Sequence, residues 1–312
     1  MAQVHSQRLD NLPLLRRCQF FPEPVIPEEV NAWVRQAGLR GAPAVGVLDR
    51  DAYLLFPADR PNLPRSEWGL NLRWKIADRL GYPAQEAVVE TFALPGGASK
   101  SERIYVAVAR SIRLQQEVAL FHQAELRLQR LDIVELALGR LTDTLPEAET
   151  GVALLYWSGA GLLVILRRQG LFYLARLLEN VSLDLWSPAP PAPATQSASD
   201  AVDHLAMELH RTLHFYQNSF AQPTPHNLYV LPMSPLCRQA EMERLQTREK
   251  YAWPGTPAQA LPMVICEQLS KRLELTVQPL PLQAVLRWQD GVDEALLSCC
   301  LPALGALVGE MR

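Results

Sequence analysis

The stretch GVALLYWSGAGLLVILRRQG, residues 151–170, decides how this chain is read. Crossing a bilayer as a helix takes about 20 consecutive apolar residues. The uncharged run here extends only from Val152 to Leu166, and Ser158-Gly159-Ala160-Gly161 breaks its middle. Two apolar runs around a Ser/Gly turn predict a buried β-hairpin. A third run, LFYLARLL at 171–178, follows the turn Arg168-Gln169-Gly170 and extends the hairpin into a meander. No aspartate or glutamate lies between Val152 and Leu166, a point that matters below.

Around this meander the composition is that of a folded protein. Hydrophobic residues make up 48% of 312 and charged residues 20%, enough for a sizeable core in one two-lobed domain or two ordinary ones. Thirty basic residues against thirty-three acidic ones leave a formal charge of −3. With no run of five like charges, the chain lacks the concentrated basic face that nucleic acid requires. Five cysteines, at 18, 237, 266, 299 and 300, form no C-x-x-C pair, which argues against structural zinc and a secreted disulfide framework. MAQVHSQRLDN has neither the apolar segment nor the cleavage site of a secretory leader, so a reducing cytoplasm is expected.

Moving outward, residues 1–24 read as irregular. Pro27 to Ala37 predicts a short helix, with proline at its start and Gly38 at its end. Strands follow at 44–48 and 53–56. Ser66 opens a helix in which Trp68, Leu72, Ile76 and Leu80 recur every fourth residue. Strands at 87–94 and 103–109 precede a helix over 114–126. Asp132 and Glu135 have the spacing of a capping box for a helix through Leu141. After the meander, SPAPPAPATQSASD at 187–200 predicts a flexible loop. Asp200 then caps a long helix striped by Val202, Leu205, Leu209, Leu213, Tyr216 and Phe220. A strand at 227–231, a helix at 236–246, a strand at 273–277 and a terminal helix interrupted by Pro302 complete the pattern. Strands and helices mix in both halves, which specifies an α/β class.

Chemical motifs are sparse. Among His204, Glu208, His210 and His214, only His210 and His214 share the i, i+4 spacing of a zincin pair, and the glutamate precedes them, so no metal is expected. There is no phosphate-binding G-x-x-x-x-G-K-[ST] and no nucleophile elbow. An anion site at the 158–161 turn requires nearby positive charge, which only Arg167 and Arg168 supply in sequence.

Three phrases in order carry a family resemblance: LNLRWKIADRLGYPAQEAVVETFALP at 70–95, LDIVELALGRL at 131–141, and MELHRTLHFYQNSFAQP at 207–223 followed by LYVLP. Together they resemble the MshI family of MSHA pilus biogenesis proteins, relatives of PilM, over the chain from about residue 40 to the closing LPALGALVGEMR. The resemblance implies an actin-like fold of two ribonuclease-H-like lobes, 1–146 and 147–312, with a small subdomain inserted at about 62–130. It implies a cytoplasmic scaffold at the inner face of the inner membrane, in a type IV pilus assembly platform. The implied partner is the cytoplasmic tail of a PilN-like single-span protein, with the pilus motor ATPase as a further contact and the membrane reached only through partners. Trp68, Leu72 and Ile76 fall in the subdomain that carries the peptide groove in PilM; they are either packing residues or part of such a groove.

The same resemblance implies an ancestral nucleotide cleft, and this chain departs from its pattern. The meander corresponds to the second phosphate hairpin. Gly159 and Gly161 remain beside Ser158, but Trp157 stands where the acid of a DxG pattern belongs. Past Leu231, where ATP-binding relatives carry a glycine pair, this chain has Pro232 and Met233. MAQVHSQ resembles the family's second strand, so the chain is expected to begin after the glycine-bearing first hairpin, either because that loop is absent or because the start is truncated or misplaced. Glu208 and Arg211 on the long helix are either an ordinary i, i+3 ion pair or groups facing a ribose. The expectation is a pseudo-ATPase with no catalytic residue and no cofactor. The alternatives are an actin-like ATPase of the same machinery and a subunit of a type II secretion platform.

Overall fold

The computed structural model describes residues 2–9, 12–21, 25–96, 102–158, 161–179, 181, 196–232, 263–289, 292 and 294–310. They group into two compact units, one of residues 25–134 and one built from 1–24 and 135–312. These boundaries differ from the 1–146 and 147–312 lobes of the sequence reading, and the 62–130 segment lies within the smaller unit. The opening segment joins the larger unit because its strands pair there with a strand near the C-terminus.

That opening segment is not irregular. It forms β1 (Ala2–Leu9) and β2 (Leu12–Cys18), an antiparallel hairpin with two register shifts.

In the smaller unit, α1 (Pro27–Gln36) starts on proline and buries Val30 and Val34. Strands β3 (Pro43–Leu48) and β4 (Tyr53–Asp59) follow. Next is α2 (Arg65–Lys75), which ends where Ile76 leaves helical geometry; residues 77–79 make a separate 3-10 turn, so the expected helix through Leu80 is two pieces. Strands β5 (Ala87–Ala93) and β6 (Arg103–Arg110) pair antiparallel, with β6 between β4 and β5. Leu72 and Ile76 bury against Ala87, Ile104, Val106 and Val108 on one face of this sheet. Helix α3 (Ser111–Gln123) leads into β7 (Arg127–Ile133), a strand the sequence reading missed, which pairs in parallel with β3. Asn31 of α1 donates to the Gln123 carbonyl at 2.8 Å, tying α1 to the end of α3. Where a capping box was expected, Asp132 Oδ1 accepts from the neighbouring Ile133 N–H, and α4 spans Val134–Arg140.

In the larger unit the expected meander forms as β8 (Val152–Ser158), β9 (Gly161–Arg168) and β10 (Leu171–Leu178). The long helix α5 (Gln196–Phe220) begins four residues ahead of Asp200. The helix thus takes in the last five residues of the predicted loop, 196–200; residues 187–195 lie outside the described residues, as does the helix expected at 236–246. Strand β11 (Asn227–Val230), α6 (Met263–Leu273) and β12 (Thr276–Pro279) follow. The sheet runs β10-β9-β8-β11-β12, three antiparallel strands and then two parallel ones. Its core joins Leu155, Leu162 and Val164 to Leu205, Leu209 and Leu213 of α5 and to Ile265 and Leu269 of α6.

Strand β13 (Arg287–Trp288) adds in parallel to β2. The terminal helix breaks at Cys300 into α7 (Glu294–Cys299) and α8 (Leu301–Glu310). Pro302 lies in the first turn of α8, where its missing N–H costs nothing, rather than at the break.

Candidate functional site

The β8–β9 hairpin is built for close packing. Tryptophan and leucine pair across it (Trp157 with Leu162), as do Ser158 and Gly161. Because side chains alternate along a strand, Trp157 shares a face with Ala153 and Leu155, and all three belong to the buried cluster under α5 and α6. Trp157 is 7% exposed. The Ser158 hydroxyl donates to the Gly161 carbonyl at 2.9 Å, consuming a group that a phosphate would otherwise attract. Gly161 has φ +141°, and a Cβ there would sit 2.6 Å from the Leu178 carbonyl oxygen. Only glycine fits. Gly159 lies outside the described residues.

Arg167, one of the two cations near this turn in sequence, is committed elsewhere. Its Nη2 donates to Asp143 Oδ1 at 2.8 Å and to the Gly170 carbonyl at 2.6 Å. Both side chains of the pair are buried, 7% and 5% exposed. Gly139 of α4 makes room: a Cβ there would lie 2.7 Å from Arg167 Cδ. Arg168 donates to the Thr150 carbonyl.

Glu208 and Arg211 do pair, at 2.5 Å, but not alone. Arg176 of β10 reaches the other Glu208 oxygen at 2.8 Å and the Thr212 hydroxyl at 3.2 Å. Thr212, fully buried, donates in turn to the Glu208 carbonyl. Two guanidinium groups thus hold one carboxylate, and the one from Arg176 fastens α5 to β10. Arg176 and Thr212 were missed in the sequence. A lone arginine inside LFYLARLL is the signal available, since a charge in an apolar strand calls for a partner. One helical turn further on, Tyr216 meets Tyr173 and Phe220 in edge and tilted contacts, and burial pushes its phenol up to about 12.

At the adenine end of the sequence reading, Leu231 is buried and its N–H donates to the Leu155 carbonyl, while Pro232 is half-buried. Met233 lies outside the described residues. His204, His210 and His214 are exposed, and His214 contacts Asn218 at 3.1 Å. Among the described residues no three His, Cys, Asp or Glu side chains are arranged to hold a metal.

Of the candidate groove residues, Leu72 and Ile76 lie in the core, at 3% and 5% exposure, packed with side chains of β5 and β6. Trp68 is half-buried; its Nε1 donates to the Leu63 carbonyl at 2.9 Å, and the Arg60 guanidinium lies 5.5 Å from its ring. The opposite face of α2 exposes Leu70 and Trp74, which the stripe did not reveal.

No helix among the described residues is long and apolar enough to cross a membrane. No protein-family model matches the chain, and no curated protein does. Solved structures do. The PilM-PilN type IV pilus biogenesis complex is similar over 99% of this chain and 93% of its own, at 17% identity and a TM-score of 0.63. The cytoplasmic domain of EpsL, an inner-membrane component of the type II secretion system of Vibrio cholerae, matches 73% of this chain and 82% of its own at 16% identity, with a TM-score of 0.38. A Bacteroides thetaiotaomicron protein with an actin-like ATPase fold matches 88% of this chain and 80% of its own at 9% identity and the same score. Neither of the last two similarities is deep enough to define a fold. The first spans nearly the whole chain, and with it the α/β architecture is the actin-like fold, in the form PilM takes.

Proposed function

We propose that this protein is a scaffold subunit of a type IV pilus assembly platform, of the MSHA kind. In this reading it grips the cytoplasmic tail of a PilN-like single-span inner-membrane protein and works without nucleotide at the inner face of that membrane. The observation that carries the reading is the structural similarity, over nearly the whole chain, to the PilM-PilN type IV pilus biogenesis complex. Fold alone does not fix function, so the partner is the point to test. Isothermal titration with a synthetic peptide of the N-terminal cytoplasmic tail of a PilN-like protein should give one-to-one binding. A flat titration, together with no co-purification of the full-length pair, sinks the proposal.

Support for a cleft without ATP chemistry comes from the β8–β9 hairpin. It carries no carboxylate, its tryptophan belongs to the apolar core, and its serine hydroxyl is turned onto the Gly161 carbonyl. Holding magnesium requires oxygen ligands, most often carboxylates. Thermal unfolding with saturating Mg-ATP should leave the melting temperature unchanged. A ligand present at 100 times its Kd would add about 2.7 kcal/mol to stability, and such a rise would restore the ATPase reading.

A further inference from the structure

Of the described cysteines, Cys266 lies on α6 within the apolar core, whereas three others gather where the two ends of the larger unit meet. Cys18 closes β2, and Cys299 and Cys300 stand at the α7–α8 junction. Though 282 positions apart in sequence, the Cys18 and Cys300 sulfurs are 2.6 Å from each other. Both are reduced thiols here. Cys300 is 3% exposed and Cys18 half-buried, so a small oxidant reaches the pair from the Cys18 side while bulky thiols do not.

We infer that Cys18 and Cys300 form a reversible disulfide under peroxide, a covalent clasp between the N-terminal hairpin and the C-terminal helices. The bond goes beyond any partner or nucleotide and holds whatever the chain binds. Geometry makes the first requirement: two thiols must approach to bonding reach without moving backbone. The roles of the two sulfurs are unequal. Cys18 donates its S–H to Cys300, and that hydrogen bond holds the Cys300 thiol below the ordinary thiol range. Cys18 itself is raised, first by giving that hydrogen bond and then by burial. Cys266, by contrast, is pushed up to about 11 by burial. The thiolate is the nucleophile, so Cys300 reacts first.

The steps balance. The Cys300 thiolate attacks one oxygen of hydrogen peroxide, the O–O bond breaks, and the departing hydroxide takes a proton to become water. This leaves a sulfenic acid on Cys300. Cys18 sulfur then attacks Cys300 sulfur, the S–O bond breaks, and hydroxide leaves with the Cys18 proton as a second water. Two thiols are oxidised and one peroxide is reduced. A thiol reductant reverses the bond by exchange. In a reducing compartment such bonds are transient and redox-sensing.

The test uses the full chain treated with hydrogen peroxide, alkylated, digested and analysed by mass spectrometry without reductant. The expected product is one cross-linked peptide pair joining Cys18 to Cys300, lighter by two hydrogens and released by dithiothreitol. Because the bond closes a loop spanning most of the chain, oxidation should also raise the melting temperature by several degrees. That rise should vanish in Cys18→Ser and in Cys300→Ala and persist in Cys299→Ser and Cys266→Ser. If Cys300→Ala folds poorly, Cys18→Ser alone decides, since its site is half-buried. A bond from Cys18 to Cys299, a Cys299–Cys300 bond, or no bond in native protein while urea-unfolded chain cross-links readily, each overturns the inference.

Discussion

The two units reach stability by different routes, and their strands show it. In the larger unit β8 and β9 are buried almost from end to end, on both faces. In the smaller unit β4 and β5 bury only their first residues, Tyr53 and Ala87, and the rest of each strand is half-buried or exposed. The first pattern arises when helices cover a sheet on both sides, here α5 and α6 on one face and α4, beneath Arg167, on the other. The second belongs to the two edge strands of a three-stranded sheet, whose middle strand β6 is buried on both faces while α2 packs on one of them. One ion pair from each unit shows how far the surroundings differ. Asp143–Arg167 of the larger unit is sealed from water, whereas Glu86–Arg110 of the smaller one is 39% and 45% exposed. A charge or methyl group therefore matters in proportion to what surrounds it, not to its chemistry alone.

The sharpest way to break this contrast is Asp143→Ala. Removing one member of a buried pair strands the other charge, and the expected loss is about 3–5 kcal/mol, read by urea unfolding. A loss under about 1 kcal/mol would mean water reaches Arg167 and the contrast is false. Next comes Leu155→Ala in β8 against Leu54→Ala in β4, residues that are fully buried and 42% exposed. The first should cost about 2–5 kcal/mol through transfer and cavity terms, the second within about 0.5 kcal/mol; equal costs would show that β4 is covered in solution. The smallest effect belongs to Glu86→Gln, for which the exposed pair with Arg110 predicts a change of about 0–1 kcal/mol, diminishing further in salt. Hydrogen exchange by mass spectrometry assigns each change to its unit.

The same contrast explains what the sequence could show. The β8–β10 meander was legible because its runs are uniformly apolar and end at Ser-Gly and Arg-Gln-Gly. Strands β2 and β7 were not. LPLLRRC and RLQRLDI place arginines at exposed or half-exposed positions, so neither alternates cleanly by residue type. The break of α2 at Ile76 was hidden because Ile76 and Leu72 keep the helical stripe while the backbone turns between them and Leu80. In the candidate site, Trp157 and the Glu208–Arg211 pair could be read locally, one from a motif position and one from helical spacing. Arg176 and the Asp143–Arg167 pair come from segments separated in sequence, and only packing brings them together.

Leu14 pairs with Arg287, so the first hairpin of the chain finds its neighbour only when almost the last residues have been made. Everything the smaller unit needs, by contrast, has left the ribosome once residue 134 is clear of the exit tunnel. The larger unit must keep its opening strands waiting through the whole of translation, with unpaired sheet edges facing every other nascent chain. Its assembly thus depends on chaperoning or on a short interval between initiation and release in a way that its partner unit's does not.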